Sequence, residues 1–267
     1  MKKKKWFRRL LAASLTGLLA ISSLLPVQGE ETESSSPELS RVSVHDPSII
    51  KAEDGTYYVL GSHTASARSE DLMQWEQVNF DYGNVEDTPF YGNLLETLEK
   101  PFQWAGYDDG DCAGGGYAVW APDAIWNPYY EWEDGSTGAY MLYCCTSSTW
   151  RRSCISYLVS KAFEGPYEFV DTIVYSGFTK TGEPDGSSSR DTSWDNDYLN
   201  LAALIEKGSE NGGIDEISEN WFDASGGWNH LYAPNAIDPN LFFNAEGERL
   251  YMSYGSWSGG LFLLELD

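Results

Sequence analysis

The sequence predicts an all-β protein, a β-propeller assembled from four-stranded blades, and three observations carry that prediction. A strand–turn–strand pattern recurs three times. Further strand-like segments lie between the copies, giving about four strands per repeat, the anatomy of a propeller blade. No long amphipathic helix competes with them beyond the N-terminus, although a short helix is expected around Leu199–Lys207.

The first copy is DPSIIKAEDGTYYVLGSH (Asp46–His63), the second APDAIWNPYYEWEDGSTGAYMLYCCTSS (Ala121–Ser148), the third DPNLFFNAEGERLYMSYGSW (Asp238–Trp257). Each begins around a proline and runs into a short apolar strand. Each then turns at an acidic–glycine pair: Asp54-Gly55, Asp134-Gly135 or Glu246-Gly247. The returning strand is rich in aromatics and ends in Gly-Ser or Thr-Ser. Short apolar strands joined at such pairs are β-hairpins. Strands expected at Cys154–Lys161 and Tyr167–Tyr175 extend the second repeat. The segment Thr179–Asn229, rich in Gly, Ser and Asp, reads as a long insertion between blades.

A propeller starts the innermost strand of every blade at the same end of its channel, so equivalent residues converge there. Aligning the copies on Pro47, Pro122 and Pro239 puts Asp46, Ala121 and Asp238 at one position. Asp123 then matches Ser48 and Asn240. Two carboxylates are therefore expected to meet at one mouth of the channel.

The N-terminus sets the compartment. Met1–Arg9 carries six Lys or Arg, an apolar run follows from Leu10 to about Leu25, and Val27-Gln28-Gly29 offers a small-residue exit. That order is a secretory signal peptide, residues 1–29. Residues 30–40 (EETESSSPELS) form an acidic, Ser-rich linker, and 41–267 form the propeller domain, expected to be incomplete. The whole chain has 17 basic and 41 acidic residues. Removing the signal leaves 11 basic against the same 41. So acidic a protein repels nucleic acid and anionic membrane surfaces. A neutral polysaccharide is the partner expected, met by a secreted monomer. Aromatics make up 15% of the chain; some fill sheet cores and the rest suit a groove in which sugar rings lie flat. Four cysteines (Cys112, Cys144, Cys145, Cys154) with no C-x-x-C pair argue against both a disulfide scaffold and a zinc site, though one bridge is compatible with export.

HDPSII (His45–Ile50), WAPDAIWN (Trp120–Asn127), NAIDPNLFF (Asn235–Phe243) and YGSWSGGLFLLELD (Tyr254–Asp267), in that order, resemble the segments of glycoside hydrolase family 43, and of its secreted endo-arabinanases above all. The resemblance implies a five-bladed propeller, of which this chain covers about three blades, and inverting hydrolysis of internal α-1,5-L-arabinofuranosyl linkages in plant cell-wall arabinan. It implies Asp46 as general base and Asp238 as the carboxylate that tunes the general acid. It implies substrate contacts at His45, Trp120, Asp123, Asn235, Ala236, Ile237, Gly255, Ser256 and Trp257. An inverting pair needs room for water between its carboxylates, roughly 6.5–9.5 Å. The family's general acid is a Glu in a Glu-Gly-Pro or Glu-Ala-Pro segment after N-A-I-D-P, and no such segment follows Asp238 here. Glu164-Gly165-Pro166 has the right letters between the wrong repeats. The resemblance allows calcium in the channel of a complete domain, but His63 and His230 do not match its ligand, so no metal or cofactor is assigned. An exo-acting β-xylosidase or α-L-arabinofuranosidase and a non-catalytic glycan-binding propeller are the rival readings.

Overall fold

The three turns close as their residues dictate. At the first, Gly55 takes φ 93° and its N–H donates to the Ala52 carbonyl, while Asp54 accepts from the Thr56 amide. The second repeats this with Gly135 at φ 80°, and Asp134 accepting from Ser136. In the third, Gly247 keeps the left-handed backbone, but the Asn244 side chain takes over the acceptor role for the amides of Glu248 and Arg249. Glycine reaches positive φ without a Cβ penalty, and a neighbouring short polar side chain satisfies the turn amides.

The computed structural model describes residues 38–81, 84–106, 118–147, 152–180, 192–193, 218–256 and 258–266. The signal peptide, most of the linker, Cys112, Trp150, Trp257 and the helix expected near 199–207 lie outside them, as does most of the insertion. Among the described residues no helix is long and apolar enough to cross a membrane.

Among the described residues the strands form three antiparallel sheets. The first runs in order β1 (Ser48–Lys51), β2 (Tyr57–Leu60), β3 (Ser66–Ser69), β4 (Glu76–Asn79). The second holds β5 (Val119–Glu131), β6 (Thr137–Ser147), β7 (Ser153–Ser160) and β8 (Glu168–Ser176), also in chain order. The third pairs β9 (Asn240–Phe243), β10 (Leu250–Ser256) and β11 (Ser258–Leu266). The first two are four-stranded meanders as expected, and β7 and β8 fall within a residue of the segments read from sequence. The third has three strands among the described residues.

Two short helices between the first two sheets were not anticipated: α1 (Leu94–Thr97) and α2 (Glu99–Ala105). Asn93 caps α1 by accepting the Glu96 amide at 3.3 Å. Pro101 sits in the first turn of α2, where its missing N–H leaves no bond unmade. With four and seven residues, they are too short to show a helical period.

The second sheet is buried on both faces, which is why β6 reads as a near-continuous apolar run. Successive side chains alternate between faces. Tyr140, Leu142 and Cys144 join Tyr58, Leu60, Leu94 and Phe102 in a core against the first sheet. Ala139, Met141, Tyr143 and Cys145 join Leu241, Leu250, Met252 and Tyr254 in a core against the third. The adjacent cysteines therefore face opposite ways, and Cys144, Cys145 and Cys154 are buried free thiols. A smaller core gathers Trp104, Cys154, Phe178, Phe222 and Trp228. Its centre is Trp104, whose indole N–H is shared between the Ser153 and Ser176 carbonyls at 3.2 and 3.1 Å.

Candidate active site at the mouth of the inner strands

The three inner strands β1, β5 and β9 begin around one open cavity of about 600 Å³, lined by Asp46–Ile49, Ala121–Ala124 and Asp238–Leu241. These are the segments aligned from the repeats. The residue ahead of each proline holds left-handed backbone: Asp46 at φ 51°, Ala121 at 39° and Asp238 at 53°. Non-glycine residues pay about 1 kcal/mol or more for that region. Its recurrence at three equivalent positions shows one local design built three times, with the strain carried by the packed sheets beneath.

Each acidic member of the set is held by a serine from the end of the returning strand. Ser62 donates to Asp46 Oδ2 at 2.6 Å and accepts the Ala121 amide at 3.0 Å, so the second sheet steadies the first sheet's carboxylate. Ser256 donates to Asp238 Oδ2. Below them, the backbone closes in matching fashion: the His45 carbonyl accepts the Ser62 amide, and the Ile237 carbonyl accepts the Gly255 amide. These serines end the Gly-Ser pairs noticed in the repeats, but sequence gave no sign that Ser62 binds a carboxylate. His45, with its side chain 84% exposed, sets Nδ1 2.8 Å from Asp46 Oδ2.

Asp46 is exposed and Asp238 half-buried. Burial raises the Asp238 pKa above the usual carboxylate value; the Ser256 hydrogen bond opposes this and the Asp46 charge adds to it. Behind Asp238 lies the fully buried Cys145 thiol. It donates to the Trp120 carbonyl at 3.3 Å and lies against the Asp238 amide. Burial pushes that thiol well above its usual range, so it acts as a neutral packing group.

Asp123 is set apart from the other two, only 8% exposed. Its Oδ1 accepts from Ser48 Oγ, and its Oδ2 accepts the Leu241 amide at 2.6 Å and Asn240 Nδ2 at 3.4 Å. Burial raises its pKa and these hydrogen bonds pull it back.

The remaining expected contacts divide. Trp120, half-buried, donates to Ser147 Oγ at 3.0 Å and leans on the His63 ring, 6.1 Å between centroids. Ala236 is fully buried; its N–H goes to Ser176 Oγ at 2.9 Å and its carbonyl accepts from Ser153 Oγ at 2.7 Å. Asn235 Oδ1 accepts from Ser176 Oγ at 3.3 Å. Ala236 thus anchors the segment while Ile237 carries the chain to Asp238. Gly255 lies under the mouth at φ 101°. Trp257 is outside the described residues. Glu164 is not at the mouth: it accepts from the Tyr58 hydroxyl at 2.5 Å, in a second hollow bounded by Arg68 and Trp75. Among the described residues no group of three or more His, Cys, Asp or Glu is placed to hold a metal ion.

Fold and site together define a class: an all-β protein whose described residues form antiparallel sheets of four, four and three strands, with inner strands that deliver carboxylates to one mouth. Its fold matches solved arabinanase structures. The crystal structure of an endo-1,5-α-L-arabinanase from Thermotoga petrophila RKU-1 superposes with a TM-score of 0.58 at 32% identity, over 86% of this chain and 39% of that one. A family 43 glycoside hydrolase from Bacillus licheniformis gives 0.56 at 33% identity, over 86% and 39%. In sequence, the chain is 32% identical over 261 residues to the extracellular endo-α-(1→5)-L-arabinanase 2 of Bacillus subtilis, covering 98% of this chain and 42% of that protein. The extracellular endo-α-(1→5)-L-arabinanase of T. petrophila is 32% identical over 250 residues, 94% and 41%. The chain thus spans about two fifths of the length of the curated relatives it matches. No family model matches it.

Proposed function

We propose that this chain carries part of the active site of an exported glycoside hydrolase of family 43 that cuts internal α-1,5-L-arabinofuranosyl linkages of arabinan with inversion, on a five-bladed propeller. The observation that carries the reading is the meeting of Asp46 and Asp238 at one mouth, on equivalent left-handed backbone, each held by a serine. The arabinanase relatives supply the substrate.

In this reading Asp46 is the general base. It takes a proton from a water whose oxygen bonds to the anomeric carbon, while the bond from that carbon to O5 of the next sugar breaks. A carboxylic acid delivers the proton that O5 gains, and an acid must stay protonated to do so. Asp238 raises that acid's pKa by its charge. The family resemblance makes that acid a Glu, and the described cavity lining holds three Asp and no Glu. His45, Trp120, Asn235, Ile237, Gly255, Ser256 and Trp257 line the sugar path, as a monomer working outside the cell on neutral polysaccharide. Residues 1–29 direct export and are removed.

The test is hydrolysis of linear arabinan by the full-length protein beside Asp46→Ala. Short oligosaccharides from the parent, with activity down about 10³-fold or more in the variant, are expected for loss of a general base in an inverting site. Cleavage of aryl-xylosides or arabinoxylan alone would move the substrate to the exo-acting reading. Binding of arabinan with no cleavage by the parent would make the protein a glycan-binding propeller.

A further inference from the structure

We propose that Asp123 is a positioning residue for this reaction, a buried clasp that sets Asp46 and Asp238 relative to each other and touches no sugar. The inference rests on the arabinan-cleaving reading above. Its ground is geometric. Ser48, Asp123 and Asn240 are equivalent residues of the three repeats, each two positions past Asp46, Ala121 and Asp238. All three meet on one carboxylate. One oxygen of Asp123 accepts from Ser48 at the start of β1; the other accepts the Leu241 amide and the Asn240 side chain at the start of β9. Asp123 itself belongs to β5, so one side chain ties three inner strands from three sheets. Asp123 lines the cavity but is only 8% exposed, and both of its oxygens already accept from neighbouring strands.

The tie acts two residues from each catalytic position, a distance over which an extended chain transmits displacement with little slack. A carboxylate also suits the task better than an amide would. Donors point at both oxygens: an amide nitrogen in place of Oδ2 would face the Leu241 N–H, and one in place of Oδ1 would force the Ser48 hydroxyl to turn from donor to acceptor.

The experiment compares Asp123→Asn and Ser48→Ala with the parent, in the full-length protein, reading kcat, KM, the pH profile and the melting temperature on linear arabinan. The titratable groups at the mouth are His45, Asp46, Asp123 and Asp238, with the Cys145 thiol behind Asp238. We expect Asp123→Asn to lower kcat roughly 10- to 100-fold, the scale on which a misplacement of about 1 Å acts. KM should stay within about twofold while the limbs of the pH profile move, and Ser48→Ala should do the same to a smaller degree. A rise in KM with kcat retained would make Asp123 a sugar contact and overturn the inference. So would a lower melting temperature with kcat and pH profile per folded molecule unchanged, which is a tie of the fold alone. If the parent cuts no arabinan, the substrate reading fails by itself. Carbon-13 NMR titration of the aspartate carboxyls then decides the clasp: midpoints of Asp46 and Asp238 that move in Ser48→Ala, which breaks the tie but keeps the Asp123 carboxylate, support it, and unmoved midpoints overturn it.

Discussion

Asp238 shows how a carboxylate is made costly by its surroundings. Burial is the main cause of its raised pKa, with the Asp46 charge behind it. The folded state therefore holds the Asp238 proton at a pH where the unfolded chain has released it. Ionised Asp238 costs folding free energy, a cost absent below the unfolded value near 4 and fully present once pH exceeds the raised folded value. Asp238→Asn removes it. At pH 7 the melting temperature should rise, while arabinan cleavage is lost. The gain should vanish at about pH 4. Calorimetric scans of parent and variant at the two values check both halves, and a loss of stability at pH 7 would contradict the assignment of burial as the cause. Asp46 and Asp238 were legible in the sequence because they precede proline at matched places in a repeat. Ser62 was not, because a Gly-Ser strand ending announces no partner 16 residues upstream.

At the scale of the element, the hairpin ends fix the mouth by close backbone approach. A Cβ on Gly61 would come 2.3 Å from the His45 carbonyl oxygen and equally near Val44 Cγ1. Neither carbonyl nor β2 can retreat without dragging Asp46, since the Ser62 amide bonds to that same carbonyl at 2.9 Å. Gly61→Ala should destabilise the fold by about 1–3 kcal/mol, as overpacking does, and lower kcat through displaced Asp46. Chemical denaturation with kinetics on the folded fraction tests it; wild-type kcat with wild-type stability would show the contact to be soft. The strands were readable because short apolar, aromatic-rich runs lie between turn signals. Helices α1 and α2 were hidden because so few residues complete no amphipathic repeat. The clasp at Asp123 was half visible: the alignment matched Ser48, Asp123 and Asn240, but only packing three distant segments together shows their side chains meeting.

For the whole molecule, charge decides what can approach. With 41 acidic and 17 basic residues, long-range attraction to any polyanion is absent, and capture of the uncharged polysaccharide proposed as substrate would rest on hydroxyl and ring contacts at short range. Affinity for linear arabinan should therefore change less than about twofold between 20 and 500 mM salt, since electrostatic association weakens steeply over such a range. Affinity electrophoresis in arabinan gels at the two concentrations measures this. A strong salt dependence would point to a charged ligand instead. The three-sheet arrangement also explains why β6, not a surface strand, is the most apolar: it serves two cores at once.

Ala121 keeps the left-handed backbone of Asp46 and Asp238 but carries a methyl in place of a carboxylate. A mouth with identical groups on every repeat would offer a bound polymer several equivalent headings. The missing carboxylate removes that equivalence. For the polysaccharide proposed as substrate, which has a reducing and a non-reducing end, such a site has its own direction, and Ala121 is one of the unmatched residues that give it one.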